Sequence, residues 1–155
     1  MSSADNKALV RSWYDVPSIG EWLRQRPEIA DIEGADTERL KAAMPAFFSP
    51  EYISHRPGDD MPLEAFVRYQ ITRLPAFPDL SCAVEDIIAE GQKVMVRFTI
   101  RGTHLGVFRG ISATGRKIEM GGISLERCAA GKMVEGWHYS DTLGMMQQLG
   151  IIPSQ

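Results

Sequence analysis

The sequence predicts an α+β fold in which N-terminal helices pack on one face of a curved antiparallel sheet. Apolar residues follow the spacing of helix faces up to about residue 74, and from Leu80 onward they alternate with polar residues, as in half-buried strands. Compact turn signals separate the consecutive strand candidates, which is typical of antiparallel hairpins. Helices on one side of a curved sheet leave a cavity between the two layers, where small ligands usually bind.

The first half of the chain contains three helix candidates. The first runs from about Asp5 to Tyr14 and has its apolar residues on one helix face. The second runs from about Thr37 to Phe48, and we expect it to kink or end at Pro45. The third begins near Pro62, a residue that suits a first helical turn. The segment from Ile19 to Gly34 is compatible with either a short helix or an ordered loop.

The second half of the chain contains mainly strands. A short strand at Tyr52 to His55 precedes the third helix. Four longer candidates follow, namely Ser81 to Ala89, Lys93 to Thr103, Lys117 to Cys128 and Lys132 to Asp141. Turn signals at Glu90-Gly91 and Ala129-Ala130-Gly131 predict two antiparallel hairpins. A last short helix is expected from Thr142 to Leu149, with Gly150 placed to cap its end.

Length and composition predict a single domain over residues 1–155. The chain is 44% apolar and 24% charged, and its net charge of −3 gives no basic patch large enough for nucleic acid. The polar N-terminus does not resemble a signal peptide, and no apolar run approaches the ~20 residues of a membrane span. Cys82 and Cys128 lie far apart, and neither Cys-x-x-Cys nor His-x-x-x-His occurs. We therefore expect a cytoplasmic protein without a disulfide or a metal site.

His138 is the first candidate for a functional group. It shares one face of the last strand candidate with Gly136 and Ser140, whose small side chains leave space around the imidazole, as a ligand cavity requires. The opposite face has the larger side chains of Met133, Glu135, Trp137 and Tyr139. The alternative is that the His138 face meets solvent and the large side chains pack the core. The spacing leaves both alternatives open.

Other polar candidates have a structural alternative beside the functional one. His55 precedes a Pro-Gly turn and suits a structural or a pocket role, whereas His104 at a strand end is more typical of a loop anchor. Asp141 is placed to be the N-cap of the last helix as well as to act near His138. Arginines 97 and 101 on the second long strand are more often solvent-facing at this spacing, although one of them could hold a substrate carboxylate.

The helical half also supplies most of the aromatic side chains. Most of them must form core, and a few polar tips are expected to point into the cavity. Together with the first two histidines, the residues predicted to bind a substrate are His55, His104, Tyr14, Trp22, Phe48, Tyr52, Phe66 and Tyr69.

Several segments taken together indicate a family. They are Phe48 to Gly58, Ala76 to Leu80 with Val84 to Gly91, Arg101 to Gly106, the loop from Phe108 to Gly115, Gly131 to Trp137, Asp141 to Gly144 and Gln147 to Gly150. Their order and spacing over roughly residues 5 to 152 resemble the SnoaL-like polyketide cyclase (ester cyclase) family, within the nuclear-transport-factor-type superfamily. The stretch from Asp15 to Asp36 is longer than the family usually has between its first two helices.

The resemblance implies a cone-shaped half-barrel with one deep pocket, and frequently a homodimer. Characterised cyclases of this family close a polycyclic ring by intramolecular aldol chemistry without a metal or organic cofactor. They use an acid/base aspartate in the final strand and a histidine in the preceding strand. Aligning the chain on its terminal Gln-Leu-Gly places His138 at the aspartate position and Ser124 at the histidine position. Neither catalytic residue is retained in kind.

The exchange is compatible with the same chemistry. A proton between two carbonyls needs only a mild base, and a neutral histidine with an unperturbed pKa near ~6.5 suits that task. Ser124 would then donate a hydrogen bond to the enolate oxygen. We therefore expect a cofactor-independent cyclase or isomerase that acts on a hydrophobic, polyketide-like carbonyl compound, with His138, Ser124 and Asp141 as its catalytic residues.

Three alternatives remain open at this stage. The first is a non-catalytic protein that binds a small molecule in the same pocket. The second is another lyase or hydrolase, such as an epoxide hydrolase, which needs paired carboxylates; Glu135 and Asp141 flank His138, but Glu135 should face away from it. The third is a structural or interaction role, because the apolar residues that alternate along the strand candidate Lys93 to Thr103 belong either to the core or to a dimer interface. These residues are Val94, Val96, Phe98 and Ile100.

Overall fold

A computed structural model describes residues 1–15, 42 and 44–154. In this part of the chain there are three α-helices, namely α1 (Ser3–Asp15), α2 (Leu63–Thr72) and α3 (Thr142–Gln148), and a short 3₁₀ helix at Met44–Ala46. The strands are β1 (Phe48–Arg56), β2 (Asp59–Pro62), β3 (Ser81–Glu90), β4 (Lys93–Thr103), β5 (Lys117–Ala129) and β6 (Lys132–Ser140). None of these helices is long and apolar enough to cross a bilayer.

The predicted α+β architecture is confirmed. The six strands form one sheet in the order β2-β1-β6-β5-β4-β3, and β3–β4 and β5–β6 are the two antiparallel hairpins that the turn signals predict. The sheet is mixed rather than purely antiparallel, because β1 pairs with β6 in parallel. Parallel neighbours need a long connection, and the chain between β1 and β6 supplies one. Alternation within a strand predicts its faces but not its neighbour, so the sequence did not indicate this pair.

Two sequence expectations change near the start of the sheet. Strand β1 begins at Phe48 rather than Tyr52, so the end of the second helix candidate is strand. The rest of that candidate lies mostly outside the described residues, as does the whole segment from 19 to 34 with Trp22. The residues after the Pro57-Gly58 turn form the short strand β2, which pairs antiparallel with β1 before α2 begins.

The core lies between the helices and one face of the sheet. The apolar row of β4, from Val94 to Ile100, is buried and therefore belongs to the core. Helix α1 packs against β3 and β4 through fully buried Val10. Its Trp13 ring lies 4.9 Å from the ring of Phe48 and 6.5 Å from that of Phe66, which joins α1 to β1 and α2.

A bulge in β6 sets which side chains reach the interior. In the β5–β6 ladder, Cys128 pairs with Met133 and Arg127 pairs with Glu135, so Val134 is an extra residue on β6. Met133 is consequently fully buried, although alternation had grouped it with Glu135 on the opposite face. Beyond the bulge, the alternation continues to His138 as the sequence predicts.

Asp141 begins α3 as its N-cap. Its Oδ1 accepts a hydrogen bond from the backbone N–H of Gly144 at 2.9 Å, which satisfies one of the free donors of the first turn. The helix ends at Gln148, and Gly150 follows with φ of 76°, as its predicted capping position requires.

We predict that Asp141→Ala lowers the free energy of unfolding by about 1 kcal/mol, because the first turn of α3 loses its side-chain acceptor. Asp141→Asn keeps an oxygen acceptor and should retain most of the stability. Urea denaturation of both variants measures the difference. Equal stability of the alanine variant and the wild type would show that the cap does not contribute.

Candidate active site

A cavity of about 440 Å³ lies between the helices and the inner face of the sheet. This volume is within the range of small-molecule pockets, roughly 300–1,000 Å³. Its apolar wall includes Trp13, Met61, Phe66, Leu74, Leu80, Phe98 and Ile100. Its polar groups include Tyr14, Arg56, Asp59, Tyr69, Gln70, Arg73, Ser81, Cys82, Arg109, His138, Ser140 and Thr142.

Four of the predicted site residues line this cavity. They are His138, Tyr14, Phe66 and Tyr69. The structure therefore places His138 on the interior face of β6, while Tyr139 on the other face is 60% exposed. The alternative in which the His138 face meets solvent is excluded.

The other two histidines lie away from the cavity. His55 is on the outer face of β1, where its Nδ1 lies 2.8 Å from Asp60 and its Nε2 2.8 Å from Glu135. These two hydrogen bonds raise the pKa of His55. His104 is fully buried, and its Nδ1 lies 3.0 Å from the Thr114 hydroxyl, so it anchors the loop after β4.

The other predicted residues that the structure describes are not among the residues that line the cavity. Asp141 is exposed, caps α3 and is not among the described residues that line the cavity. Phe48 packs against Trp13 and Tyr52 in the aromatic core. Ser124 is fully buried and is not part of the cavity wall, so it is not placed to touch an enolate oxygen. Trp22 is outside the described residues.

His138, Tyr52 and Glu126 form a buried group of three polar side chains. The Tyr52 hydroxyl lies 3.0 Å from His138 Nε2 and donates to Glu126 Oε2 at 3.2 Å. Glu126 Oε1 is 3.6 Å from the same imidazole nitrogen. Gly136 makes this arrangement possible, because a Cβ at that position would overlap the polar atoms of all three residues. No described residue hydrogen-bonds His138 Nδ1, so this nitrogen is available to a ligand in the cavity.

Burial controls the protonation of this group. It raises the pKa of Glu126 to about 8, although hydrogen bonds from Tyr52 and Ser124 act in the opposite direction. Burial also lowers the pKa of His138 to about 3, and the positive charge of Arg56 adds to that shift. The pKa of Tyr52 is raised, mainly by burial and then by the Glu126 charge, so its hydroxyl keeps its proton.

A second series of hydrogen bonds leads from the cavity wall to the Glu126 carboxyl group. Tyr14 Oη, in the cavity wall, is 2.6 Å from Ser124 Oγ, and Ser124 in turn hydrogen-bonds Glu126. Ser124 stands directly opposite His138 in the β5–β6 ladder. Ser124 therefore acts on Glu126, and only through it on His138.

Sequence reasoning missed Glu126 and the cavity arginines. Glu126 shares the inward row of β5 with Ser124 and Cys128, all three fully buried. A charged residue in the alternating row that Ile118 and Met120 begin is the signal that could have revealed Glu126. The two arginines that were considered, Arg97 and Arg101, instead form ion pairs with carboxylates on the outer face of the sheet.

No group of three or more metal-binding side chains occurs within residues 1–15, 42 and 44–154. Cys82 and Cys128 are both free thiols. Burial raises the pKa of each to about 11, so neither is a thiolate at neutral pH.

Comparisons with known proteins agree with the fold. The family model described as SnoaL-like polyketide cyclase matches residues 32–149. AclR from Streptomyces galilaeus, a proposed hydroxylase, has a similar structure with a TM-score of 0.75, 26% identity, and coverage of 99% of this chain and 86% of AclR. IdmH from Streptomyces antibioticus, a proposed polyketide cyclase, has a TM-score of 0.65, 30% identity, and coverage of 79% of this chain and 95% of IdmH. No curated protein matches the chain in sequence.

We predict that stability decreases between about pH 6.5 and 8 because Glu126 ionises. Its pKa is raised above the unfolded value, so its stabilising contribution is complete below the unfolded pKa and is lost as the pH rises through about 8. His138 is neutral in both states above about pH 6.5 and adds nothing there.

Glu126→Gln should remove about 1–2 kcal/mol of this decrease, since one proton corresponds to about 1.4 kcal/mol per pH unit. The measurement is chemical denaturation of wild type and variant at several pH values. Comparing the two cancels the contribution of His55, whose pKa is also raised. Parallel curves for the two proteins would contradict the assignment to Glu126.

Proposed function

Because this chain belongs to the SnoaL-like polyketide cyclase family, we propose that it is a cofactor-independent enzyme that transfers a proton at a carbon beside a carbonyl group. Its substrate is a hydrophobic, polyketide-like small molecule, and the reaction class is cyclisation or isomerisation. The observation that supports the proposal most directly is His138 in the cavity wall. Its Nε2 lies beside a buried tyrosine and a buried carboxyl group, and its Nδ1 has no hydrogen-bond partner among the described residues.

The charge on Glu126 determines what His138 presents to the cavity. When Glu126 is ionised, Tyr52 donates its hydroxyl proton to the carboxylate and His138 Nε2–H donates to the Tyr52 oxygen. Nδ1 is then an unprotonated base. When Glu126 is protonated, the donation runs the other way, and Nδ1 presents an N–H that acts as an acid.

Proton abstraction therefore moves one negative charge without creating another. Nδ1 takes the substrate C–H proton, Nε2 passes its own proton to Tyr52, and Tyr52 passes its proton to Glu126. The carboxylate becomes neutral as the enolate forms. This order suits a site in which burial disfavours an imidazolium, because the positive charge on His138 is only transient.

Ring closure reverses this proton relay, which runs from His138 through Tyr52 to Glu126. The enolate carbon attacks a second carbonyl of the same molecule, and the resulting alkoxide takes the proton from Nδ1 of His138. Tyr52 then returns its proton to Nε2, and Glu126 is ionised again. One group thus supplies the base for the first half of an aldol reaction and the acid for the second half.

The two relatives described above differ in their proposed reactions. IdmH, 30% identical, is a proposed polyketide cyclase, and AclR, 26% identical, is a proposed hydroxylase. We favour proton transfer because the buried relay at His138 is an acid/base device. A pocket that only binds its ligand remains the competing function, and the next experiment distinguishes the two.

We predict that the protein accelerates enolisation of benzoylacetone, a neutral aromatic diketone, and that His138→Ala loses this acceleration by a factor of about 10²–10⁴. Tyr52→Phe and Glu126→Gln should each reduce the rate less, because Nδ1 remains while the relay is broken. Stopped-flow ultraviolet absorbance follows the reaction. His55→Ala, a histidine change on the outer face, is the matched control and should retain the wild-type rate.

The pH profile separates the relay from a merely structural role. The wild-type rate should increase as the pH rises through about 8, where Glu126 becomes ionised, and this increase should be absent in Glu126→Gln. Benzoylacetone that binds but enolises at the buffer rate would indicate a binding protein instead.

We also propose that the chain forms a homodimer through the outer face of the sheet. Ile123 and Tyr139 stand opposite each other in the β5–β6 ladder and are 45% and 60% exposed, and Ile88 on β3 is 60% exposed. Light scattering should give twice the 17.3 kDa chain mass, and Ile123→Glu should halve it. A wild-type protein of one chain mass would contradict the dimer.

A further inference from the structure

One end of the cavity is cationic. Arg56 and Arg73 both lie close to the Tyr69 ring, with guanidinium carbons 4.1 Å and 5.0 Å from its centroid. Arg109 also lines the cavity, whereas Asp59 is the only acidic side chain among the lining residues that the structure describes. The excess of guanidinium groups over carboxylates in this wall is unusual for groups that prefer to be paired when buried.

The two inner arginines differ from those on the surface of the protein. Neither Arg56 nor Arg73 has a carboxylate within 4.0 Å among the described residues. The surface arginines with ion pairs are Arg11 with Asp15, Arg68 with Glu64, Arg97 with Asp86, Arg101 with Glu119, and Arg127 with Glu135. Arg73 donates one bond to Gln70, which is a neutral partner.

Both inner arginines also have an unused donor. The Nε atoms of Arg56 and Arg73 are buried and have no hydrogen-bond partner in the part of the chain that the structure describes. Buried donors are nearly always satisfied, so two on adjacent guanidinium groups indicate a ligand with acceptor atoms. Because each guanidinium contacts the Tyr69 ring, its N–H edge is fixed in direction, and a planar two-oxygen group matches such an edge.

The pKa values of Tyr69 and Arg73 reflect the positive charge in this part of the cavity. Burial alone would raise the pKa of Tyr69, but the charges of Arg73 and Arg56 outweigh it and leave that pKa below its ordinary value. Burial lowers the pKa of Arg73 itself. An anion at this position would reverse both effects, since it restores a counter-charge to the guanidinium groups.

We propose that Arg73 and Arg56 bind a carboxylate group of the ligand, so that the cavity accepts a carboxylic acid with a hydrophobic body. The carboxylate occupies the space beside Tyr69, and the body extends along Phe66 towards His138, whose ring stacks on Phe66 at 5.7 Å between centroids. The inference rests on the proposed function only for the part of the ligand that reacts at His138. The carboxylate site itself is tested by binding measurements alone.

The test compares para-carboxybenzoylacetone with its methyl ester, which differ at one group. Isothermal titration calorimetry should show that the wild type binds the acid at least about tenfold more tightly than the ester. Arg73→Gln should remove this preference and leave the affinity for the ester unchanged. Arg97→Gln, on the outer face and paired with Asp86, is the matched control and should keep the preference.

A second variant and a competition experiment complete the binding test. Arg56→Gln is the second variant if Arg73→Gln does not fold, and it should also reduce the preference. Equal binding of acid and ester by the wild type, no binding of the acid, or a preference that survives both substitutions would overturn the proposal. Competition by inorganic phosphate without competition by benzoate would overturn the assignment to a carboxylate.

The outcome is separable from that of the proposed enzyme activity. His138→Ala should lose enolisation and keep the preference for the acid, whereas Arg73→Gln should lose the preference for the acid over the ester. Absence of enolisation with a retained preference would therefore remove the enzymatic proposal and leave the carboxylate site.

Discussion

The structure depends on one constraint, which is that a carboxyl group sits in the core. Glu126 is 1% exposed, and its polar neighbours among the described residues are hydroxyl groups and an imidazole that are themselves buried. A buried carboxylate without a cation is costly, so the group must either keep its proton or gather hydrogen-bond donors. The fold does both, because burial raises the pKa and the hydroxyls of Tyr52 and Ser124 point at the oxygens.

Several features of the backbone serve this arrangement. The parallel pairing of β1 with β6 brings Tyr52 beside the strand that holds His138, and the missing side chain of Gly136 gives their polar atoms room. The bulge at Val134 keeps Met133 in the core without moving His138 to the outer face. A register shift of one residue at any of these points would turn a member of the group towards solvent.

The sequence predicted the periodicities well and the convergence of side chains poorly. The small neighbours of His138 predicted a cavity face correctly, because alternation along one strand is a local property. Asp141 was predicted as both cap and catalyst, and only the backbone direction at the end of β6 decides for the cap. Tyr52 and Glu126 are 74 residues apart, and their contact follows from the strand order, which periodicity does not encode.

The His138 end and the arginine end of the cavity have related electrostatic roles. A relay that moves one negative charge from Glu126 to a substrate enolate works best near a positive potential, and the field of Arg56 reaches His138. The same field lowers the pKa of the imidazole and keeps it unprotonated, as a base must be. A carboxylate held farther along, beside Tyr69, would fix which carbon of the ligand faces Nδ1 without placing a second negative charge on the reacting atoms. Phe66 lies between the two ends, with its ring centroid 5.9 Å from the Arg56 guanidinium carbon and 5.7 Å from the His138 ring. Its side chain then sets the distance between the anionic group of a ligand and its acidic carbon.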